Sequence, residues 1–263
     1  MSTRAHAVSD SATMLRRNLR HALRYPSMSV SIVAMPVIFL LLFVYVFGGT
    51  LGAGLHGAPG GGGRYVDYVV PGIILLTAAT ASMSTAVSVC VDMTEGIVAR
   101  FRTMAISRAS LLTGHVAGSM IQTMVSMGLV IGAALLMGFR PTAGPVRWIA
   151  AVGVLAMLTL ALTWLAVALG MVAKSPESAS SLPLPLMLLP FLGSGFVPAN
   201  SMSAGVRWFA ENQPFTPIIE TLRGLLTGTP IGHSAVLAVA WCAGITLAGY
   251  LWARAAYNRG PMR

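Results

Sequence analysis

Apolar residues in this chain come in runs far longer than a soluble helix or strand needs. Runs at about 28–47, 69–91, 112–139, 148–172, 179–197 and 234–252 approach or exceed the ~20 residues a helix needs to cross a hydrocarbon core. They predict an all-α membrane protein with six transmembrane helices. The fifth run is interrupted by Pro183, Pro185, Pro190, Gly193 and Gly195. Such breaks survive at membrane depth only where neighbouring groups or a cavity satisfy the freed backbone. Ahead of the first run, TMLRRNLRHALRY at 13–25 puts Met14, Leu15, Leu19, Ala22 and Leu23 on one helical face and Arg16, Arg17, Arg20 and Arg24 on the other, the pattern of an interfacial amphipathic helix. Three units follow: a tail with interfacial helix at 1–26, a transmembrane domain at 27–254 and a basic tail at 255–263.

The most polar interior stretch is DMTEGIVARFRTMAISR at 92–108. Asp92, Glu95, Arg100, Arg102 and Arg108 cannot sit in hydrocarbon cheaply, because each would cost at least ~2.5 kcal/mol at the bilayer centre. The segment therefore belongs in water, tethered by a span on each side. Ile97, Val98, Phe101, Met104 and Ile106 recur at spacings near three and four, which suits a short amphipathic helix along the surface; an ordinary positive loop fits the same pattern. Residues 48–63 read as a flexible Gly-rich loop. Gly52, Gly54 and Gly57 spell GxGxxG there, but no βαβ unit surrounds them, so this is no nucleotide fingerprint. The connection 198–232 carries Trp208, Phe209, Phe215 and Leu222, too apolar for an exposed loop, and predicts short helices at or dipping into the outer leaflet.

In the second run, Thr77, Thr80, Ser84 and Ser88 form one stripe flanked by Ala78 and Ala81. A small polar stripe serves close helix packing or lines a translocation path. With Gly193 and Gly195 of the broken run it forms the candidate substrate path. Gly114/Gly118 and Gly128/Gly132 are GxxxG pairs, a weak signal for helix association.

Composition supports this picture: 56% of the 263 residues are hydrophobic, 9% are charged and mean hydropathy is +0.77, where soluble domains carry about 25% charged residues. The net charge of +10 comes from residues beside the spans, so membrane lipids rather than nucleic acid answer it. With six spans and both termini cytoplasmic, twelve of the 17 Lys and Arg residues lie inside and five (Arg64, Arg140, Arg147, Arg207, Arg223) outside, as the positive-inside rule favours; without a fifth crossing the division is eleven to six, so the choice of six spans over five rests on the apolar length of the fifth run. Of the 17 Lys and Arg residues only Lys174 is a Lys, which suggests the codon bias of a GC-rich bacterial genome, and the chain reads as a multi-pass protein of a bacterial plasma membrane. Cys90 and Cys242 both fall in apolar runs, and the five His are scattered, so no disulfide framework, metal site or catalytic constellation is expected. Walker A needs a Lys after Gly; the single Lys, Lys174, follows Ala173. The chain therefore has no ATPase site of that class. The spans hold almost no ionisable residue, which argues against a proton- or sodium-coupled carrier.

Three motifs resemble the permease subunits of ABC-2 type exporters, in the daunorubicin-resistance-like branch. Tyr68-Val-Val-Pro71-Gly72-Ile73 is similar to that family's start of the second span. Glu95-Gly96, Arg100-Phe101-Arg102 and Met104-Ala-Ile-Ser107-Arg108 are similar to its cytoplasmic coupling segment, although many relatives have Pro where this chain has Ala105. Asn212-Gln213-Pro214-Phe-Thr216-Pro217, followed by Leu222-Arg223, is similar to its outer segment before the last span. The resemblance implies a second permease chain, identical or different, and two separate ATPase subunits that hold ATP and Mg. It also implies a coupling role for the stretch from Asp92 to Arg108, and outward movement of amphipathic drugs, antibiotics, lipids or glycolipids. The residues alone leave open an ATP-independent transporter or channel, or a membrane regulator without transport.

Overall fold

The computed structural model describes residues 26–54, 64–94 and 108–259, where all regular structure is helical. Helix α1 (Pro26–Leu41) continues through a wider turn at Leu42–Val46, in which the Phe47 N–H reaches back five residues to Leu42 O at 3.1 Å. Helix α2 follows (Gly48–Gly54), so the first part of the expected Gly-rich loop is helical. Then come α3 (Tyr65–Thr94), α4 (Arg108–Leu136), α5 (Pro145–Val172), α6 (Pro176–Ser181), α7 (Leu184–Leu188), a 3-10 turn (Ala199–Ser201), α8 (Ala204–Asn212), α9 (Phe215–Thr227) and α10 (Ser234–Arg259). Helix α10 runs on through residues expected to form the basic tail.

Among the described residues, four helices are long and apolar enough to cross a membrane: Tyr65–Thr94, Val116–Leu136, Pro145–Val172 and Ser234–Ala256. The first expected span contributes a shorter apolar stretch, Ile32–Val46. The fifth is not one continuous helix. A Ser175/Ser178 capping box starts α6, and Pro183 and Pro185 then interrupt the i to i−4 ladder because proline has no N–H to give it. After α7 the chain passes through turns to Phe196.

Helix α3 is the axis of the bundle: 72% of its apolar window is buried, against 17% for α10. Helices α1, α4, α5, α6 and α9 pack on it, and α10 lies against α5 and α9. Helices α3, α5 and α10 run toward one end of the bundle, and α4 runs away from it. At one end Val89, Val116, Val167, Ala168 and Ala253 join the end of α3, the start of α4 and the ends of α5 and α10. This is the linker end, where 95–107 connects α3 to α4. At the opposite end, the Arg140 N–H donates to Asp67 Oδ1 at 3.1 Å and the Thr142 N–H to Leu226 O at 2.9 Å. The interrupted segment spans both ends. It begins beside Cys90, whose Sγ lies 3.8 Å from Ala173 O, and finishes against Gly72 and Tyr65. At 1.5 Å per residue, the α3 stretch from 72 to 90 is about 27 Å long, so the segment runs antiparallel to α3 over about that distance.

Candidate functional site

A chain that leaves helical geometry between two long helices exposes carbonyls that no intrahelical N–H can reach, and each must find a partner. Three carbonyls of the interrupted segment find side chains from other elements. Gln213 Nε2 donates to Leu189 O at 3.0 Å, Arg223 Nη2 to Ser194 O at 2.6 Å, and the Tyr65 hydroxyl to Phe196 O at 3.0 Å. Gln213 follows α8 in extended conformation, and Pro214 starts α9. Its buried amide also donates to Thr216 Oγ1 at 3.2 Å and accepts from the Phe215 N–H at 3.4 Å. Pro217 sits in the first turn of α9, where a missing N–H costs nothing. Asn212 is exposed and donates back to Trp208 O at 2.8 Å, finishing α8.

Arg223 is the most heavily used of these groups. Its Nη2 and Nε also reach Tyr68 O, at 3.2 and 3.4 Å, and its guanidinium carbon lies 3.7 Å from the Tyr68 ring centroid, a cation–π contact. Burial pulls the guanidinium pKa down, while Tyr68 and Glu220 draw it back up; an arginine remains charged throughout. Glu220 accepts from Ser234 Oγ at 2.9 Å and so ties α9 to the first residue of α10. The buried Ser194 hydroxyl has no hydrogen-bond partner among the described residues.

Glycines let the segment come this close. A Cβ on Gly72 would lie 2.7–2.9 Å from the O, Cα and C of Gly195, all backbone atoms. A Cβ on Gly193 would overlap the Gln213 side-chain nitrogen and stand 2.8 Å from Thr216 Oγ1. Gly193 and Gly195, placed in the candidate path by sequence, thus occupy a packed joint. Phe191 and Phe196 stack at 4.4 Å, and Phe43 joins Phe196 at 4.5 Å, which brings the end of the first apolar stretch to the same joint.

The hydroxyl stripe lies elsewhere, along α3 toward the linker end. Thr77 is buried and donates to Ile73 O at 2.9 Å; Thr80, partly buried, donates to Leu76 O at 2.8 Å. Ser84 is half-buried and Ser88 exposed, so the stripe passes from core to surface. Asp92 is buried near the end of α3 and Arg108 opens α4. Glu95, Gly96, Arg100, Phe101, Arg102, Met104 and Ser107 lie outside the described residues, as does the interfacial helix expected at 13–25. The structure brings Gly193 and Gly195 together with Gln213, Thr216 and Arg223, and leaves Ser84 and Ser88 apart from them.

Sequence reasoning missed Tyr65, Ser194 and the Gly72–Gly195 contact. One available signal was a tyrosine at the start of an apolar run, whose hydroxyl needs a partner when buried. The pairing of two glycines 123 positions apart leaves no local trace.

Comparison with known proteins adds an independent observation. The sequence profile of the ABC-2 type transporter family matches residues 11–227. The chain is 29% identical over 228 residues to the daunorubicin resistance ABC transporter permease protein DrrB1 of Streptomyces coeruleorubidus, covering 86% of this chain and 78% of the relative. It is 24% identical over 216 residues to a Mycobacterium tuberculosis protein named as a doxorubicin resistance ABC transporter permease, DrrC, covering 82% and 76%.

Proposed function

The chain belongs to the ABC-2 type transporter family and is a membrane permease subunit of an ATP-binding-cassette exporter; from that premise we propose how it is arranged and what it moves. It crosses the membrane six times with both termini cytoplasmic. The interrupted segment supplies the fifth crossing and the linker end faces the cytoplasm. Supporting the orientation is the twelve-to-five distribution of Lys and Arg; supporting the fifth crossing are the common direction of α5 and α10, between which the chain must return, and the run of about 27 Å that the segment makes along α3. Cysteines introduced by Gly61→Cys and Ser203→Cys are expected to label from outside intact cells, and those from Thr103→Cys and Ser178→Cys are not. Outside labelling at Ser178→Cys would overturn the arrangement.

Two copies of a separate ATPase dock at the linker end and carry the ATP and Mg, while a second permease chain completes the pathway. The stretch from Asp92 to Arg108 couples the two. It is polar yet held at both ends by the two helices it joins, so movement of a partner beneath it is passed to α3 and α4. Its Phe101 and Met104 suit a partner groove, and Glu95, Arg100 and Arg102 suit paired charges. The cargo is an amphipathic drug of the kind the relatives' names indicate, moved outward past the Thr77/Thr80/Ser84/Ser88 stripe.

The observation that carries this reading is the family match, whose bounds, 11–227, take in the charged stretch and its flanking helices. The test is co-purification of an ATPase chain, and daunorubicin-stimulated ATP hydrolysis by the complex in liposomes. Glu95→Ala, Arg100→Ala and Phe101→Ala are expected to insert normally but weaken docking or uncouple hydrolysis from export. Three variants that dock and export like the parent would remove the coupling role.

A further inference from the structure

On the flank of the bundle, α5 and α10 leave a groove of about 450 Å³ between them, within the range of small-molecule sites. Met157, Leu160 and Trp164 of α5 and Cys242, Leu247 and Tyr250 of α10 line it. The lining asks for no polar ligand along its length: Thr246 also borders it, but its hydroxyl donates to Cys242 O at 2.7 Å within its own helix. Helix α10 comes close to the α5 backbone at Gly249, where a Cβ would lie 2.8 Å from Leu165 N and 2.9 Å from Trp164 C. Both helices are long and apolar enough to cross the membrane, so the groove opens toward lipid rather than water.

Its two ends differ. Toward the linker end the groove finishes at Trp164 and Tyr250, packed edge to face at 5.0 Å. Amphipathic aromatics of this kind favour headgroup depth. Arg254 is exposed and follows Tyr250 by four residues and Leu247 by seven. On a helix it therefore falls on the groove face, about 6 Å beyond Tyr250. A short apolar channel, an aromatic pair and a cation appear in that order, which is the order of acyl chain, interface and anionic headgroup in a phospholipid.

We propose that the α5–α10 groove is a binding site for one anionic phospholipid, with an acyl chain between Met157 and Leu247 and the headgroup phosphate at Arg254. The assignment to the inner leaflet, which carries the anionic lipids, rests on the proposed cytoplasmic position of the linker end; the lipid site itself does not. The bound lipid acts as a wedge between α5 and α10 and is not the exported cargo.

The experiment is native mass spectrometry of the permease purified with its ATPase, delipidated, then titrated with phosphatidylglycerol or phosphatidylcholine in mixed micelles. One phosphatidylglycerol per permease chain is expected, at least fivefold tighter than phosphatidylcholine. Ala243→Trp, which fills the exposed groove wall, is expected to abolish that adduct. Arg254→Gln is expected to make the two lipids bind alike, and Arg254→Lys to restore the preference. Leu247→Trp is the second groove-filling variant, and each variant is accepted only if it co-purifies with the ATPase as the parent does. Equal binding of both lipids to the parent, or an unchanged adduct in both tryptophan variants, overturns the proposal. So does stoichiometric displacement by daunorubicin, which would make the groove a cargo site, or loss of a second permease chain in Ala243→Trp, which would make it a subunit interface. None of these readouts depends on membrane orientation or on transport, so failure here leaves the permease assignment standing.

Discussion

Alanine at Gly72 and alanine at Gly128 are the same chemical change in two apolar helices, and the structure predicts opposite outcomes. At Gly128 a Cβ meets nothing within 4 Å. The substitution therefore gains only helix propensity, ~0.8–1.0 kcal/mol. At Gly72 the same methyl meets Gly195 O at 2.7 Å, Cα at 2.8 Å and C at 2.9 Å. No rotamer change relieves a clash with backbone, so the interrupted segment must lift away from α3. Overpacking of this kind costs about 1–3 kcal/mol. Lifting far enough to lose the Arg223–Ser194 and Tyr65–Phe196 bonds would add about 2–4 kcal/mol. Comparing the two variants cancels the propensity common to both, so Gly72→Ala should lie about 1–3 kcal/mol below Gly128→Ala from overpacking alone, and further below if those bonds are lost. Reversible unfolding in mixed micelles titrated with SDS, followed by tryptophan fluorescence, measures the difference. A gap under ~1 kcal/mol would refute the claim that this joint is held by backbone-to-backbone contact.

Three further outcomes follow from the same geometry. Arg223→Gln should lower stability by about 2–4 kcal/mol in that assay, through lost charge-assisted bonds and the Tyr68 contact. Arg223→Lys should recover only part of this, because one ammonium cannot reproduce the planar fork; full recovery by Lys would contradict the assignment. Gly249→Leu should cost about 1–3 kcal/mol by forcing α10 off the Trp164–Leu165 backbone, while Gly244→Ala, with nothing within 4 Å of its Cβ, should not lower stability. Ser84→Leu, on a half-buried face, should change unfolding by no more than ~0.5 kcal/mol yet reduce export of the proposed cargo with ATPase docking intact; normal export would remove Ser84 from the path.

Hydrophobic run length fixed the helical class and the positions of α3, α4, α5 and α10, because crossing hydrocarbon demands a long stretch whose backbone bonds close internally. The prolines at 183, 185 and 190 announced the break in the fifth run for an equally local reason: a residue without an N–H cannot continue the ladder. The Gln213–Pro214 motif and Arg223 were visible as residues, but not what they do. That was decided in three dimensions, because the carbonyls they satisfy lie 24 and 29 positions away, on a segment whose path depends on packing against α3. Gly193 and Gly195 look alike as path or joint in a sequence, and only the atoms opposite each missing Cβ distinguish the two. The groove beside Gly249 is likewise a property of two helix faces together. Local sequence fixes what a single segment must do with its own backbone; which segment supplies the missing partners is settled by the tertiary fold, where contacts between distant positions carry no periodic signature.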